Sequence, residues 1–218
     1  MRPLLLDLFC GAGGAAMGYH RAGFEVVGVD INPQPNYPFD FHQVDALVVL
    51  RDIPGLLVGW SRFEAIHASP PCQAFTKAQK LQGNEHPDLI AETRKGLQDS
   101  GLPYVIENVP GAPLVTPFAL EGSMFGLRTY RPRLFETNFP VVVPPTPPRV
   151  HKTTKMGRPP KDGEFMHVVG NFSDVEAGRW AMGIDWMTRN ELSESIPPAY
   201  TSYIGTYLHA FLGTAVAA

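Results

Sequence analysis

A run of apolar residues near the start of the chain leads directly into a glycine-rich turn. The run spans residues 4–9, the glycines fall between positions 11 and 14, and residues 15–22 have the composition of a helix. A second apolar run at 25–30 ends in Asp30, about 20 residues beyond the glycines, which is the arrangement that holds a ribose in dinucleotide-binding folds. This pattern predicts a parallel sheet that binds a ligand where its strands end.

The alternation of strands and helices continues downstream. Apolar runs at 65–68 and 104–107 are predicted strands, and residues 88–98 between them are a predicted helix that stops at Gly101. Strands that alternate with helices indicate an α/β fold, with a mostly parallel sheet and helices on both faces. The polar side chains expected at the carboxyl ends of the strands are Asp7, Asp30, Cys72 and Glu107.

The composition is that of one globular body with a small annex. The chain has 218 residues, 44% of them hydrophobic and 18% charged, and its formal net charge of −3 predicts that any nucleic-acid surface is a local patch. Its two cysteines, Cys10 and Cys72, offer neither a disulfide framework nor a zinc site. No apolar run approaches the length of about 18–20 residues that a membrane span needs, and Asp7 comes too early for a signal peptide. We therefore expect a soluble, cytoplasmic protein.

Cys72 lies on a stiff turn. It follows the pair Pro70 and Pro71, and two prolines fix two φ angles and remove two backbone donors, so the turn holds one shape and aims the next side chain. That placement suits a nucleophile. Taken alone, the residue fits the role of a small buried hydrophobe in a loop equally well.

Four short motifs, taken together and in order, resemble those of the DNA cytosine-5 methyltransferases. They are Asp7-Leu8-Phe9-Cys10-Gly11-Ala12-Gly13-Gly14, Pro70-Pro71-Cys72-Gln73, Glu107-Asn108-Val109 and Arg131-Pro132-Arg133. The resemblance covers residues 4–139 and resumes more faintly near the C-terminus. It implies the Rossmann-like fold of S-adenosylmethionine-dependent methyltransferases, with S-adenosylmethionine as cofactor, S-adenosylhomocysteine as product and no metal.

The resemblance places the cofactor at the glycine turn, where the ligand can approach bare backbone. Asp30 would hold the ribose hydroxyls and Asp45 would accept a hydrogen bond from the adenine amino group, although each acid also fits a plain structural role at the end of a strand. In the last motif Glu194 stands where the family has asparagine, which puts cofactor affinity in doubt. The implied contacts are Asp7, Phe9, Gly11, Gly13, Asp30, Ile31, Asp45, Pro71, Glu194 and Ser195.

The same likeness implies the chemistry. Cys72 would add to C6 of cytosine, which makes C5 able to attack the methyl group, while Glu107 binds or protonates N3. Arg133 would donate to O2, and Arg131 would support it or bind phosphate. Because alternate residues of a strand point to one side, we expect the two arginines to share one polar site.

A cytosine inside a duplex hides its reactive carbon, so a flipped base is implied. Residues 76–83 would form a mobile loop over it. Lys77 and Lys80 would meet phosphates there, unless they belong to a solvated surface. Residues 155–161 faintly resemble an AT-hook, although a plain basic loop is the commoner origin of such a run. The nucleic-acid contacts considered are Gln73, Thr76, Lys77, Lys80 and Arg158.

The chain departs from the family in its recognition region. Residues 140–178 are a reduced Pro-rich and basic insert, between a catalytic and cofactor-binding core at 1–139 and a segment at 179–218 that packs back on the core. An insert this short predicts relaxed sequence recognition or a separate specificity partner. We expect a monomer.

Two further functions stay open at this point. One is methylation of cytosine in RNA. The other is a catalytically weak relative that binds cofactor or nucleic acid, for which Glu194 and the short insert are the reasons. The first hypothesis remains a DNA methyltransferase of a prokaryotic or phage-infected cell, connected with restriction and modification.

Overall fold

One mixed β-sheet organises the residues that the computed structural model describes, which are 2–52, 62–71, 89–155 and 157–215. Within them, seven strands lie in the order β3-β2-β1-β4-β5-β7-β6. The strands are β1 (Leu4–Leu8), β2 (Glu25–Asp30), β3 (Asp40–Gln43), β4 (Ala65–Ala68), β5 (Tyr104–Asn108), β6 (Phe118–Leu120) and β7 (Arg133–Thr137). Strands β1 to β5 run parallel, whereas β7 is antiparallel to β5 and β6. The predicted α/β fold is confirmed.

Helices lie in the connections between the strands and after them. They are α1 (Gly14–Arg21), α2 (Ala46–Asp52), α3 (Ile90–Ser100), α4 (Val175–Met182), α5 (Arg189–Glu194) and α6 (Pro198–Ala215), with a short 3₁₀ helix at Gly122–Phe125. Helix α3 ends before Gly101, which has φ 69 as a C-terminal glycine should. Residue 88, where this helix was expected to begin, lies outside the described residues. Over those residues no helix has the length and apolar character to cross a membrane.

Side-chain alternation divides β1 between two cores. Leu5 joins the cluster that includes residues of α1 and α6. Leu6 and Leu8 join the cluster on the opposite face, with residues of α2 and α3. Burial on both faces explains why the central strands appear in the sequence as continuous apolar runs.

Helices α1 and α6 approach each other so closely that a glycine is required between them. A Cβ atom at Gly18 would lie 2.0 Å from Oγ1 of Thr201 and 2.2 Å from the carbonyl oxygen of Pro198. Thr201 Oγ1 also donates a hydrogen bond to the carbonyl of Ala15 at 2.8 Å. The contact holds the C-terminal helix α6 against α1.

We expect Gly18→Ala to lower the free energy of unfolding by about 1–3 kcal/mol, because the added methyl group can be accommodated only by moving backbone atoms. Urea denaturation measures the change. Gly213→Ala in α6 is the matched control, since a Cβ atom there would meet nothing within 4 Å and a helical alanine is favourable. Equal free energies of unfolding for the two variants would contradict the requirement for a glycine where α1 and α6 approach each other.

Three titratable side chains form a row at the carboxyl ends of the central strands. Asp7 pairs in register with His67, and His67 pairs with Val105, two residues before Glu107. All three side chains therefore project from one face, the face covered by α1. Asp7 and His67 are 0% exposed and Glu107 is 7% exposed. Burial of this row is unusual, because ionisable groups are seldom enclosed without a specific purpose.

A small third core lies against the glycine turn. Phe172, Met182, Met187 and Leu192 pack together with Ala12 of the turn. This core brings α4 and α5 next to the first strand, although some 160 residues of chain separate them in sequence. The predicted segment boundaries at 139 and 178 stay predictions.

Candidate active site at the carboxyl ends of the strands

The glycine turn presents bare backbone on one side. Gly11 and Gly13 have φ 48 and φ 84, and Phe9 has φ 55, a conformation that costs a non-glycine residue about 1–2 kcal/mol. A Cβ atom at Gly11 would meet no atom of the described residues within 4 Å, whereas one at Gly13 would lie 2.8 Å from Cδ of Pro38. The turn is thus packed beneath Gly13 and open above Gly11, which is the shape of a cradle for a ligand.

Asp30 lies against this turn. Its Oδ2 accepts a hydrogen bond from the amide of Gly11 at 3.1 Å, and its Oδ1 accepts one from the amide of Asn32 at 2.9 Å. Ile31, beside it, is 62% exposed although it is large and apolar. An exposed aliphatic side chain next to an open polar cradle suits the face of an adenine or ribose.

Asp45 and Asp7 have structural partners of their own. Oδ1 of Asp45 accepts from the amide of Leu47 at 2.8 Å, at the start of α2. Asp7 is fully buried behind the turn, where its Oδ2 accepts from the hydroxyl of Tyr37 at 3.4 Å and its Oδ1 has no hydrogen-bond partner among the described residues. Burial raises the pKa of Asp7 well above its ordinary value. Both residues stay predicted cofactor contacts, and the structure adds a supporting role for each.

The C-terminal segment closes over the turn from the other side. Trp186 Nε1 donates to the carbonyl of Ala12 at 2.8 Å, and a Cβ atom at Gly14 would lie 2.0 Å from Oγ of Ser195. Asn36 donates to both carboxylate oxygens of Glu191, at 3.0 and 3.1 Å. Ser195 therefore reaches the glycine turn, whereas Glu194 is an exposed residue at the end of α5.

The Pro-Pro turn is tied to the Glu-Asn-Val segment. Asn108 Nδ2 donates to the carbonyl of Pro70 at 2.9 Å, in a buried hydrogen bond between the end of β5 and the turn after β4. Pro71, a predicted cofactor contact, is exposed. Cys72 and the predicted nucleic-acid contacts Gln73, Thr76, Lys77 and Lys80 lie outside the described residues, together with the predicted loop at 76–83.

Glu107 and Arg133 form a buried ion pair beside that turn. Arg133 Nε lies 3.1 Å from Oε1 of Glu107, and their side chains are only 13% and 9% exposed. Burial raises the pKa of Glu107, while the charge of Arg133 and a hydrogen bond with Ser69 act in the opposite direction. A carboxyl group that holds its proton more readily than usual, next to a guanidinium, matches the N3 and O2 atoms of a cytosine ring.

The prediction that Arg131 and Arg133 project from the same side of a strand is wrong. Strand β7 begins at Arg133, and Arg131 precedes it with φ 37. Arg131 is 8% exposed, and its guanidinium donates to the carbonyls of Ser195 at 2.6 Å, Ser193 at 2.8 Å and Val168. Its three nitrogen atoms thus tie the C-terminal segment to the core, which differs from the phosphate contact considered for it.

Cys10 and two arginines of the basic insert are enclosed or paired in the structure. Cys10 is 7% exposed, and burial raises the pKa of its thiol, so it is a poor nucleophile. Arg158 donates both edges of its guanidinium to Glu164, at 2.6 and 2.8 Å, and Arg149 pairs with Glu121. These pairs compete with the phosphate contacts predicted for this segment.

Trp186, Tyr37 and His67 are the site residues that the sequence analysis missed. Each contacts the site through a partner distant in sequence, and no motif points to any of them. Within the described ranges, no group of three or more metal-ligating side chains occurs.

The chain resembles known proteins in sequence. Residues 4–113 match the model of the C-5 cytosine-specific DNA methylase family. Over 125 residues the chain is 31% identical to the type II methyltransferase M.AquIA of Picosynechococcus sp., covering 51% of this chain and 50% of that protein. Over 111 residues it is 32% identical to the type II methyltransferase M.FnuDI of Fusobacterium nucleatum, covering 49% of this chain and 32% of the relative. The matches span half the length of these relatives or less.

Solved structures share the fold over nearly the whole chain. A protein encoded within an Escherichia coli prophage and described as a DNA modification methyltransferase superposes with a TM-score of 0.70 at 16% identity, covering 97% of this chain and 99% of that one. The Dnmt2 methyltransferase of S. pombe superposes with a TM-score of 0.57 at 14% identity, with the same coverage of 97% and 99%. At these identities the likeness shows the methyltransferase fold.

Proposed function

Since the chain belongs to the C-5 cytosine-specific DNA methylase family, we propose that it transfers a methyl group from S-adenosylmethionine to C5 of cytosine in DNA. The observation that carries the proposal is the buried pair of Glu107 and Arg133, 3.1 Å apart. Asn108 binds the Pro-Pro turn to the strand that bears Glu107. The acid, the guanidinium and the turn that leads to Cys72 therefore meet at one end of the sheet.

The glycine turn fits the cofactor. S-adenosylmethionine supplies a methyl group bound to a sulfonium, which makes that carbon electrophilic. The open space above Gly11 supports binding of its amino acid and ribose parts against bare backbone, with Asp30 as the carboxylate for the ribose hydroxyls. Ile31 would cover the adenine, and Asp45 would accept from the adenine amino group.

Cys72 is proposed as the nucleophile. Its thiolate would add to C6 of cytosine, forming a carbon–sulfur bond and moving electron density to C5, which then takes the methyl group. Removal of the C5 proton by a base afterwards restores the double bond and expels the thiolate. The other cysteine, Cys10, is buried, and its thiol is held in the neutral form.

Glu107 and Arg133 hold the ring during the addition. Glu107 would place its proton on N3, so that the ring does not develop full negative charge, and Arg133 would donate to O2. The burial that raises the pKa of Glu107 suits this role, because the group must carry a proton near neutral pH.

The DNA would present a flipped cytosine, since the reactive carbon is hidden in a duplex. The insert at 140–178 is short, and two of its arginines are paired with acids, Arg149 with Glu121 and Arg158 with Glu164. These pairs support relaxed recognition or a separate specificity partner. Lys77 and Lys80 remain proposed phosphate contacts.

The experiment is incubation with labelled S-adenosylmethionine and either DNA or RNA, followed by base-resolution mapping of methylcytosine. We expect label at C5 of cytosine in DNA. Label in RNA alone would show that RNA, and not DNA, is the substrate. No label in either polymer would favour a relative that binds cofactor or nucleic acid with little or no methyl transfer.

A DNA strand with fluorine at C5 of the target base tests the nucleophile. Fluorine blocks the elimination, so the wild-type protein should remain covalently attached, and Cys72→Ser should not. Cys10→Ser is the matched control and should trap the strand like the wild type, because Cys10 is enclosed. Equal trapping by Cys72→Ser would overturn the assignment of the nucleophile.

A further inference from the structure

A chain of hydrogen bonds runs from Tyr19 in α1 through His67 to Ser69, which lies beside Glu107 of β5. The Tyr19 hydroxyl lies 3.0 Å from Nδ1 of His67, and Nε2 of His67 lies 2.9 Å from Oγ of Ser69. The register of β4 with β5, in which Ala68 pairs with Ile106, places Ser69 beside Glu107, and the side chain of Ser69 lowers the pKa of Glu107. Tyr19 and His67 are 0% exposed. The mechanism proposed above uses none of these three side chains directly.

The imidazole in the middle of this chain is neutral. Burial lowers the pKa of His67 to about 3, far below the pH at which a protein of this kind works. A neutral imidazole donates from one ring nitrogen and accepts at the other. The chain therefore has a direction, and the direction is decided by which nitrogen carries the proton.

Tyr19 decides it. Burial raises the pKa of its hydroxyl well above the ordinary value, so the hydroxyl keeps its proton and acts as a donor. Among the described residues, Nδ1 of His67 is the acceptor that the Tyr19 hydroxyl reaches. Nδ1 therefore accepts, and Nε2 donates to Oγ of Ser69. The proton of the Ser69 hydroxyl is then left to be donated to Glu107.

We propose that Tyr19, His67 and Ser69 are positioning residues for Glu107, acting through a hydrogen-bond chain of fixed direction that ends as a donor on its carboxyl group. The inference rests on the proposed function, in which Glu107 holds N3 of cytosine. Burial raises the pKa of Glu107, and a hydrogen-bond donor on its carboxyl group lowers that pKa by stabilising the ionised form. The donor therefore keeps Glu107 able to release a proton as well as to bind one.

Several other groups act on Glu107 and must be kept apart from the chain. They are Arg133 in β7, Arg131 before it, Asp7 in β1 and Tyr200 in α6. Ser69→Ala leaves all of them in place. A change in the titration of Glu107 in that variant therefore reports the hydrogen bond alone.

Infrared titration of the protein without DNA or cofactor tests the proposal. The carbonyl band of protonated Glu107 is isolated by subtracting the spectrum of the same protein with Glu107→Gln, in which Asp7 contributes equally. We expect Ser69→Ala to raise the titration midpoint of Glu107 by about one to two pH units, a ten- to hundredfold change in proton affinity. Tyr19→Phe should raise the midpoint of Glu107 by less. Without the tyrosine hydroxyl the tautomer of His67 is no longer fixed, but the Ser69 side chain is still present.

Thr93→Val is the matched control, since the hydroxyl of Thr93 is fully buried, has no hydrogen-bond partner in the part of the chain that the structure describes, and lies in α3 on the other side of the sheet. Its midpoint should equal that of the wild type. If Ser69→Ala does not fold, Ser69→Cys, a weaker donor, should shift the midpoint in the same direction. An unchanged midpoint in the serine variant or in Tyr19→Phe would overturn the proposal. Because neither substrate is present, that outcome is distinct from an absence of methyl transfer in the wild type, which would count against the proposed function.

Discussion

Glu107→Gln is expected to lower kcat for methyl transfer by about 10²- to 10⁴-fold, the usual contribution of a general acid. Glutamine keeps the size of the side chain and can hydrogen-bond to the ring, but it cannot give a proton to N3. The pair with Arg133 loses its charge, so the ring is also held less firmly. Steady-state kinetics with a single-site DNA substrate measures the loss, and binding of S-adenosylmethionine should change little.

The pH dependence of activity, compared between the wild type and Glu107→Gln, tests whether protonated Glu107 is required. Burial raises the pKa of Glu107, which extends its protonated form to higher pH. If protonated Glu107 is required, wild-type activity falls as the pH rises through that raised pKa, and the glutamine variant lacks this descending limb.

Glu136→Gln is the control for Glu107→Gln. Glu136 is also a buried carboxylate in an ion pair, 2.8 Å from Arg94, but it pairs in register with Ile106 and so projects from the opposite face of the sheet to Glu107. It should lose stability and keep the descending limb. A glutamine variant at 107 with wild-type kcat and pH profile would remove the acid from the mechanism.

Arg131→Met is expected to lower the free energy of unfolding by about 3–5 kcal/mol, the largest stability change that we predict. The guanidinium donates to the carbonyls of Val168, Ser193 and Ser195, and its removal takes the arginine donor from one buried and two partly buried acceptors. Methionine fills a similar volume, so the loss reports the hydrogen bonds. Equilibrium urea denaturation measures it.

Arg51→Met provides the comparison for Arg131→Met, because Arg51 pairs with Glu92 on the surface, with side chains 64% and 47% exposed. Exposed pairs contribute about 0–1 kcal/mol, so this variant should be nearly as stable as the wild type. Wild-type stability of Arg131→Met together with loss of methyl transfer would instead restore the catalytic role first predicted for Arg131.

Much of the site follows from local sequence. The glycine turn after β1, the acid at the end of β2 and the polar ends of β4 and β5 were all predicted, because strand ends and turns are encoded by neighbouring residues. Parallel strands then bring these ends to one edge of the sheet, and the structure places Asp30 at the glycine turn as expected. The direct cofactor and substrate contacts of these residues stay predictions.

The roles that were missed depend on partners far away in sequence. Arg131 and Arg133 share a motif, yet one binds backbone carbonyls of the C-terminal segment and the other binds Glu107. A carbonyl acceptor is present in every residue, so no side-chain pattern announces it. Arg158 likewise appears as a free basic residue until Glu164 folds back on it.

The sequence by itself determined strands β1, β2, β4 and β5, helices α1 and α3, the glycine turn and the family. It could do so because alternation, turn chemistry and short motifs act between neighbours. Only the tertiary structure decided which titratable groups are buried together and what they do to one another. His67 is an ordinary strand residue in the sequence, and it becomes a neutral link between Tyr19 and Ser69 only when α1 closes over the sheet. Desolvation and hydrogen-bond direction are properties of that enclosure, which forms only when distant segments meet.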